Sequence, residues 1–207
     1  MQKTDIMKNL FLLLTLTLFW SCGPVINLES GRTNGESTSG IQGNLVAFYG
    51  KYGDNNTKGV LPFAELKYSY GVASKFDLGI SATSGGNAQF FTKYQFLGDQ
   101  ESKVAMSLGL KIGKQLSVNG KKGPTRFYLP LYFSIHPSEK VAFFLNPMYA
   151  KQKVKNDFDS DFFGFTTGSI FYINENEIFL GANYNFVKTN TTKDDFLTFG
   201  AGYKFKF

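Results

Sequence analysis

Ser134 and His136 are the residues whose types could support nucleophilic or acid–base chemistry, since His136 is the only histidine in the chain. Their spacing of two places both side chains on one face of an extended strand, and Glu139 follows closely. Nucleophilic catalysis needs the serine and histidine within hydrogen-bond reach. Alternate residues of a strand lie about 7 Å apart, which is too far for direct contact. We therefore expect no catalytic pair here and a protein that is not an enzyme.

A second candidate is a run of alternating aspartates that resembles the start of a calcium-binding loop. The sixth position of such a loop is a glycine, but here it is Phe162, and the late bidentate glutamate is missing. We expect a solvated, charged hairpin without metal or cofactor, in which lysines face aspartates as a surface-loop charge ladder. The ladder is symmetric about Asn156 and comprises Lys151, Lys153, Lys155, Asp157, Asp159 and Asp161.

The single cysteine, Cys22, follows an N-terminal stretch that begins with basic residues and continues into an apolar run from Leu10 to Trp20. This run is shorter than the ~20 residues of a membrane-spanning helix and is typical of a secretory signal peptide. The segment from Phe19 to Gly23 resembles a lipoprotein cleavage box, with Cys22 as the lipidated residue. The alternative to lipidation is an ordinary signal peptide, whose cleavage nearby would remove Cys22.

The last twelve residues, FLTFGAGYKFKF, contain the strongest structural signal in the chain. Every second residue counted back from the end is apolar or aromatic, and those between are small or cationic, so the pattern predicts a strand with one apolar face. A soluble domain rarely leaves such an edge free, whereas in a closed membrane barrel the first strand pairs with it. The apolar row includes Phe199, Ala201, Tyr203, Phe205 and Phe207.

On these residues the chain resembles the small outer-membrane β-barrel proteins of Gram-negative bacteria. In that family the barrel-assembly machinery reads an aromatic-ended last strand as an insertion signal. The resemblance implies the bacterial outer membrane as the location and outer-membrane lipid and lipopolysaccharide as contacts. We also expect a monomer, and no nucleic-acid partner, because no basic helix or aromatic RNA-binding motif accompanies the net charge of +6.

The rest of the chain fits an all-β, closed antiparallel transmembrane β-barrel of about ten strands, with eight strands as the alternative. Aromatic residues make up 17% of the chain, and the mean hydropathy of −0.16 is normal where only alternate residues face lipid. Connections that alternate between long and short, with an even strand count, predict that both termini are periplasmic. The predicted strands are Asn44–Tyr52, Leu61–Val72, Phe76–Thr83, Ala88–Leu97, Lys103–Lys114, Thr125–His136, Val141–Lys151, Phe162–Ile173, Glu177–Val187 and Phe196–Phe207.

We divide the chain into a signal peptide (residues 1–21), a lipidated flexible tether (22–42) and the barrel (43–207). The tether is rich in Gly, Ser, Thr and Asn, lacks periodicity, and is expected to make no core contacts. Side-chain parity also predicts inward-facing charges, which either pair with one another or select ions; inward-facing aromatic residues favour pairing in a packed interior. The inward charges are Glu65, Lys67, Asp77, Lys93, Lys111 and Lys204.

The function that the sequence favours is non-enzymatic, with a structural or surface-interaction role in the cell envelope. A narrow outer-membrane channel for small solutes is one alternative. A soluble periplasmic barrel that binds an apolar ligand is another.

Overall fold

The structure, a computed structural model, describes residues 26–52, 57–116, 123–153, 160–188 and 193–207. Within these ranges the chain forms ten antiparallel strands in a closed barrel, each paired with its neighbours in sequence, and the last strand pairs with the first. The predicted fold class and strand number are therefore confirmed. The strands are β1 (Ser39–Tyr52), β2 (Thr57–Ala73), β3 (Phe76–Thr83), β4 (Asn87–Leu97), β5 (Val104–Gln115), β6 (Thr125–Ile135), β7 (Val141–Lys153), β8 (Ser160–Ile173), β9 (Asn176–Lys188) and β10 (Lys193–Lys206).

The closing seam is formed by the terminal strand that the sequence singled out. β10 runs antiparallel to β1, with Phe205 opposite Ile41 and Tyr203 opposite Gly43. Beyond the strand end, the Ser39 N–H donates to the Phe207 carbonyl at 2.9 Å, and the Phe207 N–H donates back at 3.0 Å. The pairing thus continues to the last residue of the chain, and both strands gain partners for edges that would otherwise be open.

The outward face of the barrel is apolar over its middle and aromatic near both ends. Leu45, Leu66 and Ile80 are 70%, 61% and 59% exposed, an exposure that large aliphatic side chains do not adopt together on an ordinary soluble surface. Among the described residues, no helix has the length and apolarity needed to cross a membrane. Exposed aromatic residues lie toward the β2–β3 and β8–β9 turns and toward the opposite end; they include Tyr68, Tyr70, Tyr94, Phe143, Phe171, Phe205, Tyr49, Phe127, Tyr149, Phe163 and Phe186.

The inward face combines small and polar residues with a few large aromatic side chains. Tyr128, Tyr132 and Phe179 are almost completely buried, so they belong to the inward-facing aromatic residues that the sequence predicted. The side chains of the wall do not fill the interior alone, however, because a further segment of the chain lies inside the closed barrel. Ile26 and Leu28 belong to the same buried apolar cluster as Phe179 and other wall residues.

The expectation of a flexible tether without core contacts is wrong for residues 26–34. Leu28, Glu29 and Thr33 in this segment are all less than 5% exposed. The barrel also begins earlier than predicted, since β1 starts at Ser39 rather than near residue 43. Residues 1–25, including the predicted signal peptide and Cys22, lie outside the described residues.

Two prolines, Pro130 of β6 and Pro147 of β7, interrupt the wall where β5, β6 and β7 meet. Pro130 lies opposite Met148, and the β6–β7 pairing resumes only at Phe133 opposite Leu145. Proline has no N–H to donate to a ladder. The side chain of Asn146 accepts a hydrogen bond from the Phe133 N–H at 3.3 Å, so a side chain takes over part of the missing ladder. The strand register is the same on both sides of the gap.

Replacing Phe207 with Asp is expected to reduce insertion of the barrel into membranes strongly. The substitution puts a charge on the outward face of the closing strand and removes the aromatic end of the predicted assembly signal. Phe207→Tyr is the matched control, because it keeps an aromatic ring at the same position. Heat-modifiable gel mobility of the membrane fraction measures the folded barrel. Wild-type amounts of folded Phe207→Asp protein in that fraction would contradict the prediction.

Candidate functional site

Residues 26–38, which we call the plug, run through the bore of the barrel toward the end where β2 and β3 are joined by a tight turn. We call this the turn end and the opposite one the loop end. Ile26 lies beside Gly200, which pairs with Val46 near the middle of β1. At the turn end, the Gly71 N–H donates to the Thr38 carbonyl at 2.9 Å, and the chain then enters β1. The plug therefore descends from mid-barrel to the turn end.

The polar main-chain groups of the plug bind mainly to side chains of the wall. The Asn146 amide donates to the carbonyls of Asn27 at 2.7 Å and of Glu29 at 2.8 Å. The Gln42 amide donates to the Leu28 carbonyl at 2.9 Å. Farther down, plug N–H groups donate to wall oxygens, and the wall partners there are Ser134 for Gly31 (2.9 Å), Gln95 for Thr33 (2.9 Å) and Asp77 for Asn34 (2.9 and 3.1 Å). Side chains thus do for the plug what a strand ladder does in the wall.

Glu29 is the charged centre of this network. Its carboxylate forms salt bridges with Lys67 of β2 and with Lys93 of β4, the latter at 3.3 Å between Nζ and Oε2. Both lysines and Glu29 are at most 5% exposed. Two ammonium groups around one carboxylate leave a buried site with a positive excess, which Asp77 opposite Lys93 partly offsets. Removing one partner of a buried ion pair leaves the other charge without compensation.

Two further wall lysines bind plug amides. Lys111 Nζ donates to the Asn27 side-chain oxygen at 2.7 Å, and Lys204 Nζ donates to that of Asn34 at 2.5 Å. The predicted inward orientation of these lysines is confirmed, because both are buried. The predicted pairing of the inward charges with one another is incomplete. The plug supplies a carboxylate and two amides as further partners, which the prediction did not include.

The wall and the plug fit closely at positions that only glycine can occupy. A Cβ atom on Gly31 of the plug would lie 2.2 Å from the Ala105 carbonyl oxygen, and one on Gly71 of the wall would lie 1.7 Å from the Gly35 carbonyl oxygen of the plug. Neither distance is tolerated without movement. The bore is therefore shaped around an inserted main chain and not only around the wall's own side chains.

A small recess of about 30 Å³ lies above the plug, on the side of the loop end. Ile26 forms part of its floor, and Val46 and Phe63 form an apolar part of its wall. The charged residues that line it are Glu65, Lys111 and Arg126. The recess thus borders Ile26, the first described residue of the plug.

Ser134 and His136 are in contact, contrary to the expectation that strand spacing would separate them. Ser134 Oγ lies 2.8 Å from His136 Nε2, and the Tyr172 hydroxyl lies 3.2 Å from His136 Nδ1. His136 follows the last residue of β6, so its side chain is free to turn back along the bore. Ser134 Oγ also accepts the Gly31 N–H and is completely buried beneath the plug. No carboxylate among the described residues is hydrogen-bonded to His136, so the group has no acidic third member.

The charged hairpin lies at the loop end, on the outward side. Lys151 lies opposite Asp161, and on the other side of β8 Asp161 lies opposite Lys188. The Tyr149 hydroxyl donates to the Asp161 carboxylate at 2.7 Å. Lys153 ends β7, and Lys155, Asp157 and Asp159 lie outside the described residues. The part of the charge ladder that these three residues would form therefore stays a prediction. Among the described residues, no group of three acidic, histidine or cysteine side chains could hold a metal ion.

Sequence reasoning missed the plug and Glu29 because residues 23–40 lack periodicity. Two signals pointed to it. The predicted inward charges contain four lysines and two acids, and buried lysines need counter-ions. Glu29 is also the first acidic residue of a stretch otherwise rich in Gly, Ser, Thr and Asn. A segment next to the barrel that carries the missing charge is a candidate for its interior.

Comparison with known proteins supports the fold. No protein family and no curated protein matches the sequence. The COG4313 outer membrane channel from Pseudomonas putida F1 is similar in structure, with a TM-score of 0.57 at 9% identity over 89% of this chain and 100% of that one. At that identity the likeness concerns the fold alone.

Two more distant structures also align with the barrel. They are the outer membrane protease OmpT from Escherichia coli, with a TM-score of 0.44 at 9% identity over 85% of this chain and 98% of that one, and Neisserial surface protein A, with a TM-score of 0.38 at 12% identity over 83% and 100%. At these scores nothing further about this chain follows from them.

Glu29→Gln is expected to release the plug. The substitution removes the counter-ion of two buried lysines, and breaking a buried pair typically costs about 3–5 kcal/mol. The measurement is maleimide labelling of a Ser30→Cys reporter in a Cys22→Ser background, because Ser30 is buried in the closed barrel. We expect labelling to become at least about tenfold faster, since each 1.4 kcal/mol corresponds to a factor of ten.

Glu36→Gln is the matched control for this prediction. Glu36 belongs to the same segment but is exposed, so its neutralisation should leave the labelling rate unchanged. Equal labelling rates in the Glu29→Gln and Glu36→Gln proteins would show that Glu29 does not hold the plug.

Acidification is expected to destabilise the folded protein through His136. Burial, assisted by the nearby Arg32 guanidinium, lowers the pKa of His136 from 6.5 to about 4. The unfolded chain therefore binds a proton near pH 6.5 that the folded chain binds only near pH 4. The stability contributed by neutral His136 is complete above pH 6.5 and is lost as the pH falls through this window.

The measurement is the free energy of unfolding in urea at pH 7 and pH 4.5, for wild type and His136→Gln. We expect the wild type to lose more stability than the variant between these pH values, by an amount on the order of 1 kcal/mol because the site is partly screened. All other titrating groups are shared by the two proteins. The same loss in both would assign the acid sensitivity to other residues.

Proposed function

We propose that the protein spans the bacterial outer membrane as a closed barrel, with the loop end outside and both termini in the periplasm. The continuous apolar outward face and the aromatic residues near both of its ends support this location. The outward lysines and aspartates at the loop end fit contact with lipid headgroups or lipopolysaccharide. The outward row of the last strand fits recognition by the barrel-assembly machinery, and lipidation of Cys22 would add an anchor.

Within that location, we propose that the protein is a narrow channel for small solutes that its own plug holds closed. The observation that carries this proposal is that residues 26–34, which belong to no strand of the wall, fill the bore between mid-barrel and the turn end. An eight-stranded barrel is just wide enough for side chains to fill it. This ten-stranded wall instead carries residues such as Ser69, Ser107 and Ser134 around an inserted main chain. Withdrawal of the plug would leave a bore of at least that width.

The proposed function is non-enzymatic. Ser134 and His136 form a contact that a hydrolase could use, but the serine oxygen is buried beneath the plug and accepts the Gly31 N–H. A substrate would have to displace the plug before it reached this oxygen. The group is better explained as a support for the plug at the turn end, since the Ser30 hydroxyl lies 3.3 Å from that of Ser134.

A permanently sealed barrel with a structural or surface-interaction role is the second candidate. It is favoured by the density of hydrogen bonds between plug and wall, which suits a fixed interior as well as a closed channel. A soluble barrel for an apolar ligand has less support, because the bore is mainly polar and the apolar side chains face outward.

Planar-bilayer conductance distinguishes the two candidates. We expect the wild-type protein to be silent or to open rarely, and the Glu29→Gln protein to show steady single-channel steps, because the substitution removes the charge that seats the plug. Heat-modifiable gel mobility of each preparation shows that the inserted protein is a folded barrel. The Glu36→Gln protein serves as the control and should behave as wild type.

Absence of conductance in the Glu29→Gln protein would favour the second candidate. A folded Glu29→Gln barrel whose reporter at position 30 labels rapidly but which carries no current would exclude the channel. The sealed structural barrel would then be the better description.

A further inference from the structure

We propose that Lys67 and Lys93 form a binding site for the carboxylate group of a small organic anion that passes through the channel. In the closed barrel, Glu29 of the plug occupies this site. The inference rests on the proposed channel function and adds to it the chemical class of the solute.

The first argument is that the site already holds a carboxylate. Lys67 and Lys93 come from different strands, are buried, and contact opposite oxygens of Glu29. The Lys93 ammonium group also donates to the Arg32 carbonyl at 2.6 Å, so two of its bonds end on the plug. When the plug leaves, both lysines lose these partners. A carboxylate is the ligand for which the geometry is prepared.

Aromatic rings keep the two lysines in place independently of the plug. Lys67 Nζ lies 4.3 Å from the centre of the Phe91 ring, and Lys93 Nζ lies 5.0 Å from that of Tyr132. Cation–π contacts of this kind stabilise a desolvated ammonium group. Both rings belong to the wall, so the lysines stay oriented toward the bore in the open state. Their apolar faces also suit the hydrocarbon part of an organic anion.

The second argument is the charge of the wall without the plug. Among the described residues of the bore, Lys206 and Glu177 pair with each other at the turn end. The remaining cations outnumber the remaining acids by five to two. The cations are Lys67, Lys93, Lys111, Lys204 and Arg126, and the acids are Glu65 and Asp77. A narrow, low-dielectric bore with such an excess concentrates anions and repels cations.

The third argument is the charge next to the first residues of the plug. Lys111 and Arg126 line the recess there together with Glu65, so two cations and one acid face it. Lys111 also binds Asn27, two residues before Glu29. An anion that reaches Lys111 is thus adjacent to the top of the plug. Because it binds the Lys67–Lys93 site only when Glu29 has left, the anion shifts the equilibrium toward the open state.

The experiment measures ion selectivity and acetate block in folded Glu29→Gln channels. In a potassium chloride gradient, the reversal potential should report a preference for chloride over potassium of about threefold or more. Acetate added at constant chloride should reduce the chloride current, because it occupies the vacated carboxylate site. Acetate is the probe because it carries the carboxylate group and little else.

The variant that tests the site is Glu29→Gln combined with Lys67→Gln and Lys93→Gln. We expect it to conduct but to lose the chloride preference, by about threefold or more, together with the acetate block. The matched control combines Glu29→Gln with Lys103→Gln and Lys140→Gln. It removes the same charge from exposed positions in the turns and should keep both properties.

Failure of this inference and failure of the channel proposal give different results. If no folded Glu29→Gln barrel conducts, the channel proposal is wrong and the site has no solute to bind. If the barrel conducts but neutralising Lys67 and Lys93 changes neither selectivity nor acetate block, the channel stands and the carboxylate site is wrong.

Discussion

A main chain that forms no ladder can lie inside a barrel only if its N–H and C=O groups find other hydrogen-bond partners, because a buried polar group without a partner costs free energy. In this protein that requirement shapes the bore. Asn146 and Gln42 donate to plug carbonyls, Ser134 and Gln95 accept from plug N–H groups, and each of these residues faces inward because of its parity in its strand. The polar lining that alternation places inside the barrel is therefore a complement to one particular segment.

Charge adds selectivity to this hydrogen-bonded fit. Amides and hydroxyls of the wall could bind many extended segments, but two buried ammonium groups from β2 and β4 require an acid at one position. Glu29 meets that requirement, and the neighbouring asparagines bind the next lysines above and below. The register of the plug in the bore is thus set by one carboxylate. Replacing such a pair by apolar residues need not reduce stability, which makes a role beyond stability a reasonable explanation for its presence.

The wall was predictable from sequence because alternation with a period of two is a local signal. Nine residues from Phe199 to Phe207 sufficed to orient the last strand, and the same parity gave the inward position of Lys67 and Lys111. The plug has no such signal, since an extended segment satisfied by side chains leaves no period in its own sequence. The contact between Ser134 and His136 was missed for a different reason. Strand spacing describes backbone positions, and a side chain just past the end of a strand can turn back toward its neighbour.

The position of Ile26 in mid-bore limits what the chain before it can do. Cys22 lies four residues earlier, and four residues span at most ~14 Å when fully extended. About seven residues of β1 separate the Ile26 level from the turn end, a distance of ~18 Å along a tilted strand. A lipid carried by Cys22 and embedded in the periplasmic leaflet would therefore exert tension on a seated plug. Membrane anchoring and closure of the bore would therefore compete, because the few residues between Cys22 and Ile26 are too short to allow both without strain.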